Sequence, residues 1–306
     1  MKAASEYHGI LIVDKPAGFT SHDVVAKLRG MFRTRRIGHG GTLDPMATGV
    51  LPVFVGGATK AADFAAAQDK SYLAGFTLGC ATDTQDTTGT VTEVSGRSAA
   101  APAVESALRA FEGRQMQLPP MYSAVQVGGQ RLYDLARRGV EVARPEREIF
   151  IRSIRLESFD EGAQKGSFSV TCSKGTYVRT LVHDLGVRLG TLAAMHSLQR
   201  TRAGQYPLSE AHTLEAVQRA ADEGRLEALL RPTDSLFLEY PAVTLDDYGW
   251  KRAQNGAFIG FSHAEGCPQE RGALCRVYYD GVFRLLGRVD ALEKGGLALF
   301  VHKNFL

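Results

Sequence analysis

The residues with the clearest chemical potential lie in one stretch, Gly38-His39-Gly40-Gly41-Thr42-Leu43-Asp44-Pro45-Met46-Ala47-Thr48-Gly49-Val50-Leu51-Pro52. An isolated Asp-Pro step often does no more than turn the chain, with the carboxylate capping its own backbone. Here two glycines ahead of Asp44 permit unusual backbone angles or close approach of a ligand, and Pro45 stiffens the chain just behind it. A carboxylate presented this way can serve as nucleophile or as base. Residues 37–57 hold no other acid. An aspartate-nucleophile hydrolase, which would want metal-binding carboxylates nearby, is therefore disfavoured.

The elements that must position this segment can be read from periodicity. Residues 8–14 form a short apolar strand that runs into a turn at Lys15-Pro16-Ala17-Gly18. Thr20 or Ser21 then caps a helix whose Val24, Val25, Leu28, Met31 and Phe32 follow helical spacing. Residues 37–57, dense in glycine and with two prolines, read as a long structured loop. Further strands are predicted at 72–78, 90–94 and 168–172, with helices at 102–111 and 176–189. Residues 112–148, with Pro119, Pro120 and a basic-aromatic stretch around Arg131, Tyr133, Arg137 and Arg138, read as an insertion that projects from the body. After a boundary near Pro241, short apolar runs at 273–279, 283–289 and 297–301, separated by glycines, predict a small β-rich module.

Composition narrows the function less than these motifs do. A net charge of +3 does not mark a nucleic-acid binder, but its distribution is uneven. Residues 165–202 carry six Lys/Arg against Asp184, and residues 203–247 carry nine acids against three Arg. A basic face set against an acidic one suits a polyanionic ligand, although an uneven solvated surface would look the same. The four cysteines, 80, 172, 267 and 275, lack paired CxxC spacing and fit reduced thiols better than disulfides. His263, Cys267 and Cys275 lack the fourth ligand that structural zinc wants, so no metal is expected. No nucleotide-binding loop is present, and none of the cofactor motifs. No charged leader precedes an apolar core and no run approaches membrane-spanning length, which predicts a cytoplasmic protein.

The segment around Asp44 resembles the catalytic motif of the TruB family of tRNA pseudouridine synthases, and further matches follow in order. Gly9-Ile-Leu-Ile-Val-Asp-Lys-Pro-Ala-Gly18 with Thr20-Ser21 is similar to the family's opening motif. Asp69-Lys70-Ser71-Tyr72 resembles the strand bearing its active-site tyrosine, and Cys172-Ser-Lys-Gly-Thr-Tyr-Val-Arg179-Thr-Leu the segment bearing a second tyrosine and an arginine. Pro119-Pro-Met-Tyr-Ser-Ala124 and Leu198-Gln-Arg-Thr-Arg-Ala-Gly204 also fit. The resemblance covers nearly the whole chain. One departure is Gly40, where family members often carry threonine, which bears on the rigidity of the loop.

The resemblance implies an α/β (α+β) catalytic domain over residues 1–238, built on a mixed, largely antiparallel sheet with a cleft and an RNA-binding insertion at about 112–150. A PUA-like RNA-binding domain is expected over 239–306. It implies isomerisation of a uridine in the T-loop of tRNA (position 55, in the TΨC arm), with no cofactor, guide RNA, membrane or obligatory protein partner. Asp44 is the implied catalytic carboxylate, as nucleophile or as base at the sugar. Arg179 is its implied partner, a planar fork suited to a bidentate grip that would hold the carboxylate ionised. Tyr72 is expected against the target base; read on its own it is a half-buried strand aromatic. Tyr177 would support the pocket and Leu198 would wall it, and both would otherwise be ordinary packing. Asp86 is implied as an RNA or pocket contact, with an Asx-turn as its local alternative. Because the target lies inside a folded loop, it must be extruded, and His39 is implied to occupy the space it leaves. Lys15, Lys60 and the Arg131, Arg137 and Arg138 stretch are expected at phosphates.

Two rivals share parts of this pattern. A non-catalytic RNA-binding protein would need the β-module but not the set Asp44, Tyr72 and Arg179. A guide-RNA-dependent relative acting on ribosomal RNA would be expected to carry longer, often lysine-rich, terminal extensions, and this chain ends at Leu306.

Overall fold

Alternation along the strand Gly9–Lys15 sets the layering of the molecule. Leu11 and Val13 face one apolar layer, while Ile10 and Ile12 face another. A strand buried on both faces reads as a continuous apolar run, as this one does. The computed structural model describes residues 7–123 and 125–305, without the side chain of Arg131. Ala124, part of the Pro119 motif, lies outside the described residues.

The main sheet has the order Gly9–Lys15, Thr48–Val55, Ala193–Ala203, Lys70–Leu78, Lys165–Cys172, Arg147–Asp160, Gly113–Gln117, with short strands Ile37–His39 and Tyr206–Pro207 attached. Its pairings are antiparallel except that of Thr48–Val55 with Ala193–Ala203, where Gln199 meets Thr48 and Arg200 meets Gly49. Helices Ser21–Phe32 and Leu214–Asp222 cover Leu11, Leu51 and Val53. Helices Ala101–Arg109 and Val178–Leu189 cover Phe76, Ile151, Phe168 and Met195. This is the mixed, largely antiparallel α/β architecture expected, with a β-rich C-terminal unit whose strand order is Ala264–Glu265, Ala242–Leu245, Leu274–Tyr279, Val282–Ala291, Leu297–Asn304.

Several local expectations are corrected. Residues 37–57 are not one loop: Thr48–Val55 is a buried strand, and only the stretch between His39 and Thr48 is irregular. The run Val50-Leu-Pro-Val-Phe-Val55 is apolar enough to lie in the sheet, and Pro52 is tolerated opposite Ile12. The insertion is shorter than predicted, because Gly113–Gln117 belongs to the sheet edge and Arg147–Asp160 to its interior. What projects between them carries a small apolar cluster of Val125, Leu132 and Leu135 packed against Tyr177. The C-terminal unit does not stand apart. Its Leu286 and Phe305 share a core with Ile10, Val50 and Phe237, and the rings of Phe237 and Phe305 are 5.6 Å apart.

Candidate active site

Thr20 caps helix Ser21–Phe32 in a reciprocal capping box with Asp23, and this fixes Ser21 beneath the glycine-rich loop. The Ser21 hydroxyl accepts from the Leu43 amide at 2.9 Å. The Pro45 carbonyl accepts from the Gly18 amide at 2.9 Å and from Lys15 Nζ at 3.3 Å. Asp44 is thus held from both sides. Further along, Gly49 takes a φ of +97°, and a Cβ there would lie 2.3 Å from the Arg200 carbonyl, so no other residue fits.

The loop delivers Asp44 into a cleft of about 260 Å³, lined also by Tyr72, Tyr177, Arg179, Leu198 and Arg200. A second cavity of about 600 Å³, lined by Tyr122, Tyr133 and Asp86, meets it at Asp44 and Arg179. Arg179 is buried in the first turn of Val178–Leu189. Its Nη1 lies 3.3 Å from Asp44 Oδ2 and 3.8 Å from Asp86 Oδ2, and its Nη2 donates to the Tyr122 carbonyl. The bidentate grip expected of it is therefore absent: the guanidinium divides itself between two carboxylates and a carbonyl. Asp86 is buried, and its Oδ1 accepts from the Thr88 amide at 2.9 Å and the Thr84 hydroxyl at 2.9 Å. It makes the Asx-type contact, steadies Arg179 and lines the second cavity.

The electrostatics also differ from expectation. Burial pushes the Asp44 carboxyl above the ordinary carboxylate range, aided by Asp86 and opposed by Arg179 and Lys15. Arg179 pulls the value down without overcoming desolvation. The side chain still keeps 31% of its surface accessible, so a ligand can reach it. The Tyr72 hydroxyl is pushed up by burial and partly held back by the charge of Arg200. It remains a neutral phenol in neutral solution and can donate a proton in a hydrogen bond.

Tyr177 caps Val178–Leu189, and its ring centroid is 5.8 Å from the Arg179 guanidinium. Leu198 is buried in the Ala193–Ala203 strand opposite Ala74 and forms part of the cleft wall. His39 ends the strand Ile37–His39 and does not line the cleft. Its Nδ1 has no hydrogen-bond partner among the described residues, and burial lowers its pKa, so the ring is neutral near pH 7.

Lys15 is a correction. It has no accessible surface, and its Nζ donates to the carbonyls of Pro16 at 2.9 Å, Phe19 at 2.5 Å and Pro45 at 3.3 Å. Burial lowers its pKa to about 8. It braces the loop that carries Asp44 and cannot meet phosphate. Lys60 is half-buried in the segment Gly56–Ala61, away from the cleft lining. Arg137 and Arg138 are exposed on the projecting segment, with Arg137 5.8 Å from the Tyr133 ring centroid.

Three residues escaped the sequence reading. Arg200 is fully buried; its Nε donates to the Val50 carbonyl at 2.6 Å and its Nη2 to the Gly41 carbonyl at 3.2 Å, tying together the two ends of the Asp44 loop. It was counted in the basic face, to which neither it nor Arg179 contributes. Lys70, also buried, donates to the carbonyls of Ala65, Ala66 and Gln68, with its pKa lowered to about 8 by burial. Ser123 touches both cavities, and its buried hydroxyl has no partner among the described residues. The Leu198 and Pro119 motifs contained Arg200 and Ser123, but nothing local marked either as buried.

An accessible carboxylate beside a shared guanidinium, in a cleft also lined by a tyrosine and a leucine, is an arrangement able to support carboxylate chemistry. Among the described residues, no three His, Cys, Asp or Glu side chains are grouped to hold a metal. Residues 29–178 match the model of the TruB family pseudouridylate synthase N-terminal domain, and residues 179–238 that of the tRNA pseudouridylate synthase B C-terminal domain. The chain is 42% identical over 288 residues to tRNA pseudouridine synthase B of Lactiplantibacillus plantarum, covering 91% of this chain and 93% of that one. It is 43% identical to the protein of the same name from Bacillus licheniformis, covering 89% and 93%. A solved Cbf5-Nop10-Gar1 complex contains a chain that superposes with a TM-score of 0.74 at 25% identity, over 97% of this chain and 85% of that one. The chain belongs to the TruB family of pseudouridylate synthases, and it is an isomerase.

Proposed function

We propose that this enzyme converts uridine to pseudouridine in tRNA, at position 55 of the T-loop, with Asp44 as the reacting carboxylate. The observation that carries the reading is the convergence of Asp44, Tyr72, Arg179 and Leu198 on one cleft, together with the similarity to proteins named tRNA pseudouridine synthase B. The reaction breaks the bond between N1 and the ribose, turns the base, and rejoins it through C5. The C5 proton leaves and N1 gains one, so the change is an isomerisation without oxidant or group donor. Asp44 either bonds to the sugar or removes a proton from it. In both cases it must be ionised, and Arg179 favours that form. Tyr72 and Leu198 then sandwich the turning base, with His39 filling the place from which the base was extruded.

On this reading residues 1–238 are catalytic and residues 239–306 form a PUA-like grip on tRNA, with the projecting segment and its Arg137 and Arg138 at the backbone of the T arm. The protein would act in the cytoplasm without guide RNA or an obligatory protein partner. Among the described residues no helix is long and apolar enough to cross a membrane. The test is incubation with an unmodified tRNA transcript and mapping of pseudouridine by chemical modification and reverse transcription. Pseudouridine confined to the T-loop is expected. Its appearance elsewhere would overturn the assigned position, and dependence on an added guide RNA would overturn the stand-alone reading.

A further inference from the structure

Residues 24–43 carry five Lys/Arg side chains, Lys27, Arg29, Arg33, Arg35 and Arg36, and no acid. Arg29, Arg33 and Arg35 line a surface hollow of about 570 Å³ with Gly30 and Thr34, at the end of helix Ser21–Phe32. Lys27 lines a different hollow together with Glu215 and Asp222. A helix C-terminus attracts cations because its last carbonyls lack partners. Here backbone amides already serve them: the Gly30 carbonyl accepts from the Arg33 amide at 3.3 Å and the Arg29 carbonyl from the Thr34 amide at 3.2 Å. The guanidiniums of Arg29, Arg33 and Arg35 pair with no carboxylate among the described residues. Arg29 Nη2 donates to the Ile37 carbonyl at 3.4 Å, while its buried Nε has no partner among the described residues. Arg33 and Arg35 are exposed. Arg33 also holds a φ of +52°, a left-handed conformation that a glycine would adopt at less cost. A long cation is thus kept where the backbone favours the smallest residue.

We propose that Arg29, Arg33, Thr34 and Arg35 hold the phosphate backbone of the substrate RNA at a site separate from the cleft, an inference that rests on the tRNA reading above. Guanidinium forks beside a hydroxyl, with no competing carboxylate, suit phosphate oxygens, because one arginine can offer two N–H donors to one phosphate. The position fits the ligand of the cleft. Helix Ser21–Phe32 starts beneath the Asp44 loop, where the Ser21 hydroxyl accepts from the Leu43 amide at 2.9 Å. Its 12 residues span about 18 Å, which sets the hollow that far from the loop. At about 3.4 Å of duplex per nucleotide, this distance corresponds to roughly five nucleotides of backbone. The chain then returns toward the Asp44 loop through Ile37–His39, with Ile37 paired to Val55 and His39 to Val53. RNA whose target enters the cleft therefore meets the arginines within the same arm.

The experiment measures the Kd of the full chain for an unmodified T-arm minihelix across a salt series. The test variant combines Arg33→Asn, which tolerates the left-handed backbone, with Arg35→Gln. Its slope of log affinity against log salt should be smaller than the parent's by about 1.5, the loss expected for two phosphate contacts. Should the pair of substitutions disturb the fold, Arg35→Gln alone leaves the helix end intact and should lower the slope by about 0.8. The control is Arg109→Gln with Arg155→Gln, which removes two exposed cations near the other end of the sheet, on Ala101–Arg109 and Arg147–Asp160. That control should keep the parent's slope. Equal slopes for the parent and the Arg33 and Arg35 variants would overturn the proposal, and so would an equal fall in the control, which would reduce the effect to net charge. Pseudouridine mapped on the same minihelix reports on the T-loop assignment separately, because the salt slope needs no turnover.

Discussion

Replacing Asp44 by asparagine separates chemistry from stability in a way the site makes quantitative. Asp44 and Arg179 are 3.3 Å apart, and with an effective dielectric of about 20 their gross attraction is about 5 kcal/mol. Arg179 is also 3.8 Å from Asp86, an attraction of about 4 kcal/mol on the same basis. Losing Asp44 therefore does not leave a buried cation alone, the situation in which breaking a buried pair costs about 3–5 kcal/mol. The raised pKa of Asp44 also means that burying its charge costs more than its neighbours return. An acid whose folded pKa lies above its unfolded value subtracts stability as pH rises from its ordinary range through the folded pKa. The parent should thus lose stability relative to Asp44→Asn over that window, and at neutral pH the variant should melt no more than about 2 °C lower, or higher. Its kcat should fall by at least roughly 1,000-fold with tRNA affinity little changed. Thermal melts across pH, single-turnover kinetics and filter binding check this. A fall in melting temperature on the order of 5–10 °C would show a structural ion pair, and kcat within tenfold of the parent would remove Asp44 from the reaction.

Because ionised Asp44 is required and burial raises its pKa, kcat should climb with pH through an acid limb above the ordinary carboxylate value; Arg179→Gln should move that limb to higher pH, and a limb that stays put would sever the link. Arg200→Lys keeps a charge but cannot serve the Val50 and Gly41 carbonyls together, so kcat should drop more than tRNA affinity, with a stability loss of about 1–3 kcal/mol by denaturant titration; equal losses in kcat and affinity would contradict a loop-bracing role. Lys15→Met should leave the slope of log affinity against log salt unchanged, since Lys15 is buried against carbonyls; a slope smaller by about 1 would restore the phosphate contact.

What could be read from the chain was whatever depends on neighbours in sequence. The Thr20 cap, the helical spacing of Val24 to Phe32, the solitary acid in residues 37–57 and the β-rich C-terminus are local patterns, and the structure contains each of them. The strand Thr48–Val55 was hidden because its glycine and proline resemble loop punctuation, and only its long-range pairing with Gly9–Lys15 makes it a strand. Charge misled for a related reason. Lys15, Lys70 and Arg200 look in sequence like surface cations, yet all three are buried, each with its charge held by backbone carbonyls.

The sequence by itself determined the family, and it marked the segment that holds the carboxylate proposed to react. Tertiary structure alone decided that Arg179 is shared between Asp44 and Asp86, that Arg200 clamps both ends of the loop, and that desolvation outweighs the cation beside Asp44. Those outcomes depend on distances between residues up to 159 positions apart, as between Gly41 and Arg200, and on how much water the cleft excludes. Only packing sets either quantity.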